Sequence, residues 1–292
     1  MYTTANDFET MVAKGLGQLP PFSPILNKLL ASISSEDVRF SDLSGLIEKD
    51  TVLSGNVLRL VNSAAYARRG EINSVPHAVS VLGLNKLRNT LLGLSISRMW
   101  SGVKTPKEWS HSRFNLHSVG TALLADHLAQ VVPVNYPEGA FVAGLFHDFG
   151  KLLIATVRPG EFREVMELHA LGGRSLPECE AEILGGDHST VSFMALERWN
   201  LPEPICAAVA YHHNPLANPA YEKQKEGAQF HLSELVAAAD QAVNAAGISL
   251  SPDPPKSDDP PEAAIVAMAG PEEGPRIFAA FQKEFDSVRQ FF

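Results

Sequence analysis

Histidine and aspartate stand at seven places inside otherwise apolar stretches of the chain: His117, His147, Asp148, His188, His212, His213 and Asp240. His147 and Asp148 are neighbours near the middle of FVAGLFHDFGKLLIA, residues 141–155, and Lys151 follows one helical turn on. Apolar residues lie on every side of the pair, so the segment reads as one helix buried all round. A buried imidazole and carboxylate are costly unless they pair with each other, with the backbone or with a metal.

His117 lies in NLHSVGTALLADHLA, and His188 opens a helix after Gly185-Gly186. His212 and His213 close another helix, and Asp240 sits among alanines in ELVAAADQAV. A lone histidine on an apolar face is more often a hydrogen-bonded core residue than a ligand. Several imidazoles and carboxylates converging from separate helices are how bundles build metal sites. Mixed nitrogen and oxygen donors suit one or two ions of iron, manganese, zinc, nickel or cobalt, without choosing among them. A pair of such ions activates water towards a phosphoryl centre. Lys151 would then steady a phosphate oxygen as a point charge, the one catalytic role expected of it.

The elements that must position these residues read as helices throughout. Ser23-Pro24 makes a cap followed by a first-turn proline, with Leu26, Leu29, Leu30 and Ile33 at helical spacing. Ser41, Asp50 or Thr51, Ser74 and Asn85 are the expected caps of four more helices, and Gly83 the expected stop of one. Tyr66 and a turn at Arg68-Arg69-Gly70 separate two of them. Further helices are expected from Trp109 to about Val131, around Phe162–Leu168 after a loop at 158–160, from His188 to Trp199, over Ile205–Tyr211, and from His231 to Ala246. Residues 214–229 read as a polar loop. SLSPDPPKSDDPP, residues 249–261, is a linker by composition. Beyond it one or two helices, interrupted near Gly270-Pro271 and Gly274-Pro275, carry Ile277, Phe278, Phe281 and Phe285 and are expected to dock on something. The organisation expected is all-α: an N-terminal helical portion (1–105), a helical bundle (106–248), the linker (249–261) and a C-terminal helical tail (262–292).

Composition bounds the function. The 292 residues are 45% hydrophobic and 20% charged, enough for a sizeable core, and the net charge of -9 argues against a broad nucleic-acid or anionic-membrane surface. Arg59, Arg68, Arg69, Lys86 and Arg88 therefore read as solvated helix faces. Cys179 and Cys206, without a CxxC, read as reduced core thiols. The N-terminus lacks a signal-peptide pattern, and no stretch reads as a run of about 20 apolar residues, so a cytoplasmic protein without a membrane span is expected.

The order H…HD…H…HH…D resembles the HD superfamily of metal-dependent phosphohydrolases. LPPFSPILNKLL, LSGLIEKDTVLSGNVLRLVNSAAY and INSVPHAVSVLGLNKLRNTLLG resemble, more specifically, HDOD domains, the HD-related output domains of bacterial signalling proteins. FVAGLFHDFGKLLIA, GGDHSTVSFMALERWNLPEPICAAVAYHHNP and ELVAAADQA continue the likeness, which runs from about Leu19 to about Ala246. The resemblance implies an all-helical regulatory module that binds other signalling proteins. Related HD-GYP domains are cyclic dinucleotide phosphodiesterases with two or three metals. Their ligand positions match His117, His147, Asp148, His188, His212, His213 and Asp240, and the lysine of their HDxGK motif matches Lys151.

Two departures favour the regulatory role. Asn214-Pro215 follows the histidine pair where HD-GYP proteins have a glutamate and then the GYP signature. Arg113 stands where trinuclear sites have a glutamate, and its charge is expected to pair with Asp148 or Asp240. The expectation is thus a signalling module acting through protein–protein interaction with a retained metal site. The alternative is a phosphohydrolase or phosphodiesterase acting on a nucleotide or cyclic dinucleotide.

Overall fold

Capping residues set the helix boundaries of the N-terminal portion. In a computed structural model that describes residues 5–31, 40–62, 71–219, 230–251 and 259–292, this portion holds α1 (Ala5–Leu16), α2 (Pro24–Ala31), α3 (Phe40–Lys49), α4 (Thr51–Val61), α5 (Val75–Leu82) and α6 (Leu84–Ser101). Ser23 Oγ accepts from the Leu26 amide at 3.3 Å, and Asp50 Oδ1 from Val52 and Leu53 at 3.0 Å each. Ser74 caps α5 through the His77 amide. Two expected caps are corrected. Ser41 falls inside the first turn of α3. Asn85 falls inside that of α6, because Gly83, at φ 79°, both ends α5 and precedes α6 without a side-chain cap. Tyr66, the turn at 68–70, residues 220–229 of the polar loop and residues 252–258 of the linker lie outside the described residues.

The second portion comprises α7 (His111–Ala129), α8 (Ala140–Phe146), α9 (Phe149–Val157), α10 (Pro159–Ala170), α11 (Leu176–Leu184), α12 (His188–Arg198), α13 (Glu203–Ala210), α14 (Leu232–Ala245) and α15 (Ala263–Val288). The fold is all-α, with no strand among the described residues and one isolated bridge from Val134 to Phe230. The loop expected at 158–160 shrinks to Arg158, since Pro159 opens α10. Helix α11 is absent from the sequence-based expectation. Its start carries a full capping box in which Ser175 and Glu178 satisfy each other's backbone, with Pro177 in the first turn.

Helices α7, α8 and α14 pack on one another, and α9 packs on α12 and α1. The apolar face of α1, Phe8, Met11 and Val12, is buried there. An aromatic cluster joins the two portions. The Trp100 ring on α6 lies 4.8 Å from Phe114 and 5.8 Å from both Phe146 and Phe149, the residues that flank His147-Asp148. Cys179 and Cys206 are free and buried. One stretch is more apolar than the sequence reading allowed: Pro137–Val157 is long and apolar enough to cross a bilayer by length and composition, and 83% of its most apolar window is buried inside the fold. Its hydropathy is that of a core segment flanked by other helices.

The tail docks on its own chain. Ile277, Phe278, Phe281 and Phe285 are buried where α15 crosses α7 and α14. The helix kinks once, at Gly270 (φ 85°), and Pro271 restarts it. The interruption expected at Gly274-Pro275 does not occur: a Cβ at Gly274 would lie 2.7 Å from the Val266 Cα, so the glycine serves a close approach of the two halves. Glu284 ties α15 to α6 and α7 through Lys86 Nζ at 2.9 Å and His127 Nε2 at 3.0 Å. Burial alone would raise this carboxyl, but His127 and Lys86 bring it below its usual range. A depressed carboxyl stabilises the fold above the ordinary glutamate pKa of about 4.3 and loses that contribution as pH falls through its lower folded value. The stability advantage of wild type over Glu284→Gln, measured by urea unfolding, is therefore expected at about pH 6 and should vanish towards about pH 3. An advantage unchanged across that range would contradict the ion-pair account.

Candidate metal centre

The expected single helix over 141–155 is broken at its chemistry. Helix α8 ends at Phe146, Asp148 adopts φ -97°, ψ 7°, and α9 begins at Phe149. Consecutive residues of an unbroken helix project about 100° apart. The break lets the adjacent pair face one point, in the bridge region of backbone space where many active-site residues sit. Two glycines bring the neighbouring helices close enough to complete the cluster. At Gly144 on α8 a Cβ would lie 2.7 Å from the Ala122 Cα of α7, which sets His147 beside His117. At Gly150 on α9 a Cβ would run into the carbonyl oxygen of His188, which sets α12 against Asp148. The Gly150 amide donates to Ser192 Oγ at 2.7 Å, and that hydroxyl donates to the His147 carbonyl at 3.1 Å.

All seven sequence-selected residues converge. His117 Nε2 lies 3.2 Å from His147 Nε2, 3.3 Å from Asp148 Oδ2 and 3.1 Å from Asp240 Oδ1. His147 Nε2 is 3.4 Å from Asp148 Oδ2 and 3.5 Å from Asp240 Oδ1. The other carboxylate oxygen of Asp148 faces a second group: His188 Nε2 at 3.1 Å and His212 Nε2 at 3.9 Å, with His213 Nε2 2.8 Å from His188 Nε2. Asp148 thus spans two donor groups with its two oxygens. His117, His147, Asp148, His188 and His212 are at most 2% exposed, and His213 lies at the more open edge.

The outer nitrogens identify the tautomers. His117 Nδ1 faces the Ile248 carbonyl at 2.9 Å, His147 Nδ1 that of Gly144 at 2.8 Å, and His212 Nδ1 that of Val209 at 2.7 Å. A carbonyl only accepts, so each Nδ1 carries the proton and, in the neutral ring, each Nε2 presents a lone pair inward. Lone pairs of His117 and His147 then oppose each other at 3.2 Å, and His212 Nε2 and Asp148 Oδ1 are buried without a hydrogen-bond partner. Buried polar atoms left unpaired in this way are costly. A divalent cation in each group would satisfy them, and histidine with its outer N–H on a carbonyl or carboxylate is the usual metal-ligand arrangement.

Electrostatics agree. Burial opposes a carboxylate at Asp148, but the charges of His147 and Lys151 and the hydrogen bonds of His117 and His147 hold it well below the usual range. Asp240 is likewise held well below despite burial, through His117 and His147. Burial disfavours a charged His117, yet its contacts with Asp148 and Asp240 push it up to about 9. Burial, with His147 and His188 nearby, pushes His212 down to about 3, and His213 is pushed strongly down by burial and His212. Anionic aspartates and the neutral His212 and His213 are protonation states that ligate cations. Burial also opposes a charge on His147 and His188, but the neighbouring carboxylates raise both, so cation binding would displace protons from His117, His147 and His188.

Lys151 Nζ lies 2.6 Å from Asp148 Oδ2, an ion pair on the carboxylate that faces both donor groups, and also lines the pocket above it. Arg113 does not join the site: it is exposed, and the ion pairs of Asp148 run to Lys151 and the histidines instead. Glu180 on α11 is a member of the site that the sequence pattern does not single out. It is 3% exposed, and its Oε2 faces His188 Nδ1 at 2.5 Å. The capping box at Ser175 would have revealed the helix that carries it. The cluster opens into a pocket of about 580 Å³ lined by His117, Asp148, Lys151, His169, His213 and Asp240, with residues from the starts of α11 and α15 at its rim.

Comparison with known proteins gives consistent likenesses. A protein of Geobacter sulfurreducens, an HDOD domain protein of unknown function, has a crystal structure similar to this one at TM-score 0.75 and 26% identity, covering 98% of this chain and 97% of the other. A second, from Marinobacter aquaeolei and provisionally named a signal transduction protein, matches at TM-score 0.69 and 22% identity over 99% of this chain and 60% of its own. An uncharacterized protein of Treponema pallidum is 24% identical over 217 residues, 73% of this chain, and the chain spans 41% of that relative's length. The family model described as the HDOD domain matches residues 19–215, from the lead-in to α2 through the histidine pair. The chain belongs to the HDOD domain family.

Proposed function

We propose that the protein is a signal-transduction module whose bundle holds two divalent cations, His117, His147, Asp148 and Asp240 taking one and Asp148, His188, His212 and His213 the other. The observation that carries this is the convergence of inward-facing imidazole Nε2 atoms on the two oxygens of one buried aspartate. The regulatory part rests on family membership and on Asn214-Pro215 following the histidine pair. The module acts through other signalling proteins, and the cation pair stabilises the surface they recognise.

Metal content tests the centre. Protein purified without chelator is expected to carry close to two equivalents of iron, manganese, zinc, nickel or cobalt. Chelation should lower stability by about 4 kcal/mol for each cation whose free concentration had stood at about a thousand times its dissociation constant. No bound metal, and no shift on adding it back, would sink the proposal. For the regulatory role, partner capture by the loaded protein should survive or fail together in metal-stripped wild type and in His147→Ala.

A second reading, hydrolysis of a nucleotide or cyclic dinucleotide phosphoester, is favoured by the 580 Å³ pocket that opens on the cluster and by Lys151 in its lining. When bound, a cation pair supplies Lewis acidity and an activated water. Lys151 would supply positive charge to a phosphate oxygen. Turnover of cyclic dinucleotides and simple phosphoesters by iron- or manganese-loaded protein is the assay. Its absence in verified loaded protein removes this reading for those substrates.

A further inference from the structure

Three of the buried histidines anchor Nδ1 on a backbone carbonyl, those of Ile248, Gly144 and Val209. His188 is different. Its Nδ1 lies 2.5 Å from Glu180 Oε2, and the same oxygen accepts the backbone N–H of His188 at 2.9 Å. Glu180 is buried on α11, a helix that carries none of the candidate ligands. A buried carboxylate is costly unless its acceptors are used, and both hydrogen bonds found for this one go to a single residue. The carbonyls hold their imidazoles with a partial charge, whereas Glu180 holds His188 with a full one. A carboxylate behind an imidazole fixes its tautomer, fixes its orientation and makes its other nitrogen a stronger donor.

We propose that Glu180 is the positioning residue of one cation subsite only, the subsite of Asp148 Oδ1, His188, His212 and His213. It keeps the His188 proton on Nδ1, aims Nε2 at Asp148 Oδ1, and adds a negative charge behind a subsite that otherwise has a single carboxylate. The subsite of His117, His147, Asp148 Oδ2 and Asp240 already has two carboxylates and does not include His188. The two subsites therefore depend on different supports, and loss of Glu180 separates them. This inference rests on the reading of the cluster as a two-cation centre.

The test is a Co²⁺ titration of metal-stripped full-length wild type, Glu180→Gln and Glu180→Ala, read by equilibrium dialysis and by the visible absorption of each bound equivalent. Wild type should bind about two equivalents. Glu180→Gln keeps the shape and an acceptor for Nδ1–H but loses the charge, so its second equivalent should weaken about 10-fold. Glu180→Ala loses both, and should weaken it about 100-fold. The first equivalent should keep its affinity and its spectrum in both variants. The graded loss, with partial rescue by glutamine, is what a merely structural residue would not give. An unchanged second equivalent in Glu180→Gln and Glu180→Ala overturns the proposal, as does equal weakening of both equivalents. If Glu180→Ala fails to fold, Glu180→Gln decides alone by the same comparison. Wild type that binds no Co²⁺ refutes the two-cation centre itself and this inference with it, a result distinct from failure in the variants alone.

Discussion

Asp148→Ala is expected to empty both cation subsites at once and to destabilise the metal-free protein by about 3–5 kcal/mol. Asp148 is the one residue whose two oxygens face both donor groups, Oδ2 towards His117 and His147, Oδ1 towards His188 and His212. Its removal also leaves Lys151 Nζ, 2.6 Å away and 13% exposed, without that partner, and leaves buried histidines around a space they cannot fill. Breaking a buried pair by deleting one member leaves an uncompensated charge, which is why the figure lies at the upper end for a point mutation. Asp240→Ala is the contrast: Asp240 touches only His117 and His147 of the cluster, so one equivalent should remain. Elemental analysis of both variants and urea unfolding of the stripped proteins check these outcomes. Two equivalents retained by Asp148→Ala would mean that the cations, if present, sit elsewhere.

The ligand set is legible in the sequence because each member breaks a local pattern. An imidazole inside NLHSVGTALLADHLA or an aspartate between alanines conflicts with the apolar face around it, and such conflicts concentrate at functional sites. The caps at Asp50, Ser74 and Gly83 are legible for the same local reason. Sequence patterns fail where tertiary contacts decide. Periodicity sees FVAGLFHDFGKLLIA as one helix, since His147 and Asp148 do not break it by propensity; the backbone turns there because the two side chains are held by groups on α7, α12 and α14. Arg113 matches a glutamate position of trinuclear sites, but the side chain is exposed and Asp148 already has Lys151. Glu180 lies among other acids in PECEAE, and nothing local marks it as the buried one. Gly274-Pro275 reads as a break, yet the glycine is a contact between the two halves of α15, visible only once the kink at Gly270 has folded them together.

Gly150→Ala should cost about 3 kcal/mol and weaken the subsite that contains His188, although alanine is the better helix former by about 1 kcal/mol. The added Cβ would meet the His188 carbonyl oxygen, and would lie 2.9 Å from both the His188 carbonyl carbon and the Ser192 amide nitrogen. These are backbone atoms of α12, so no rotamer change relieves the contact. Helix α9 must move away from α12, which stretches the 2.7 Å bond from the Gly150 amide to Ser192 Oγ and draws His188 Nε2 away from its place 3.1 Å from Asp148 Oδ1. Steric strain and loss of ligand geometry are thus one displacement, and they should appear together. Gly160→Ala supplies the control: it lies near the start of α10, a Cβ added there would meet no atom within 4 Å, and its φ is not positive, so the change should be neutral or stabilise by up to about 1 kcal/mol. At roughly 1.6 °C per kcal/mol for a chain of 292 residues, the two variants should differ by about 6 °C in melting temperature. Gly150→Ala melting with wild type, and taking up both equivalents of cation, would show that the approach of α9 to α12 does not set the geometry of the centre.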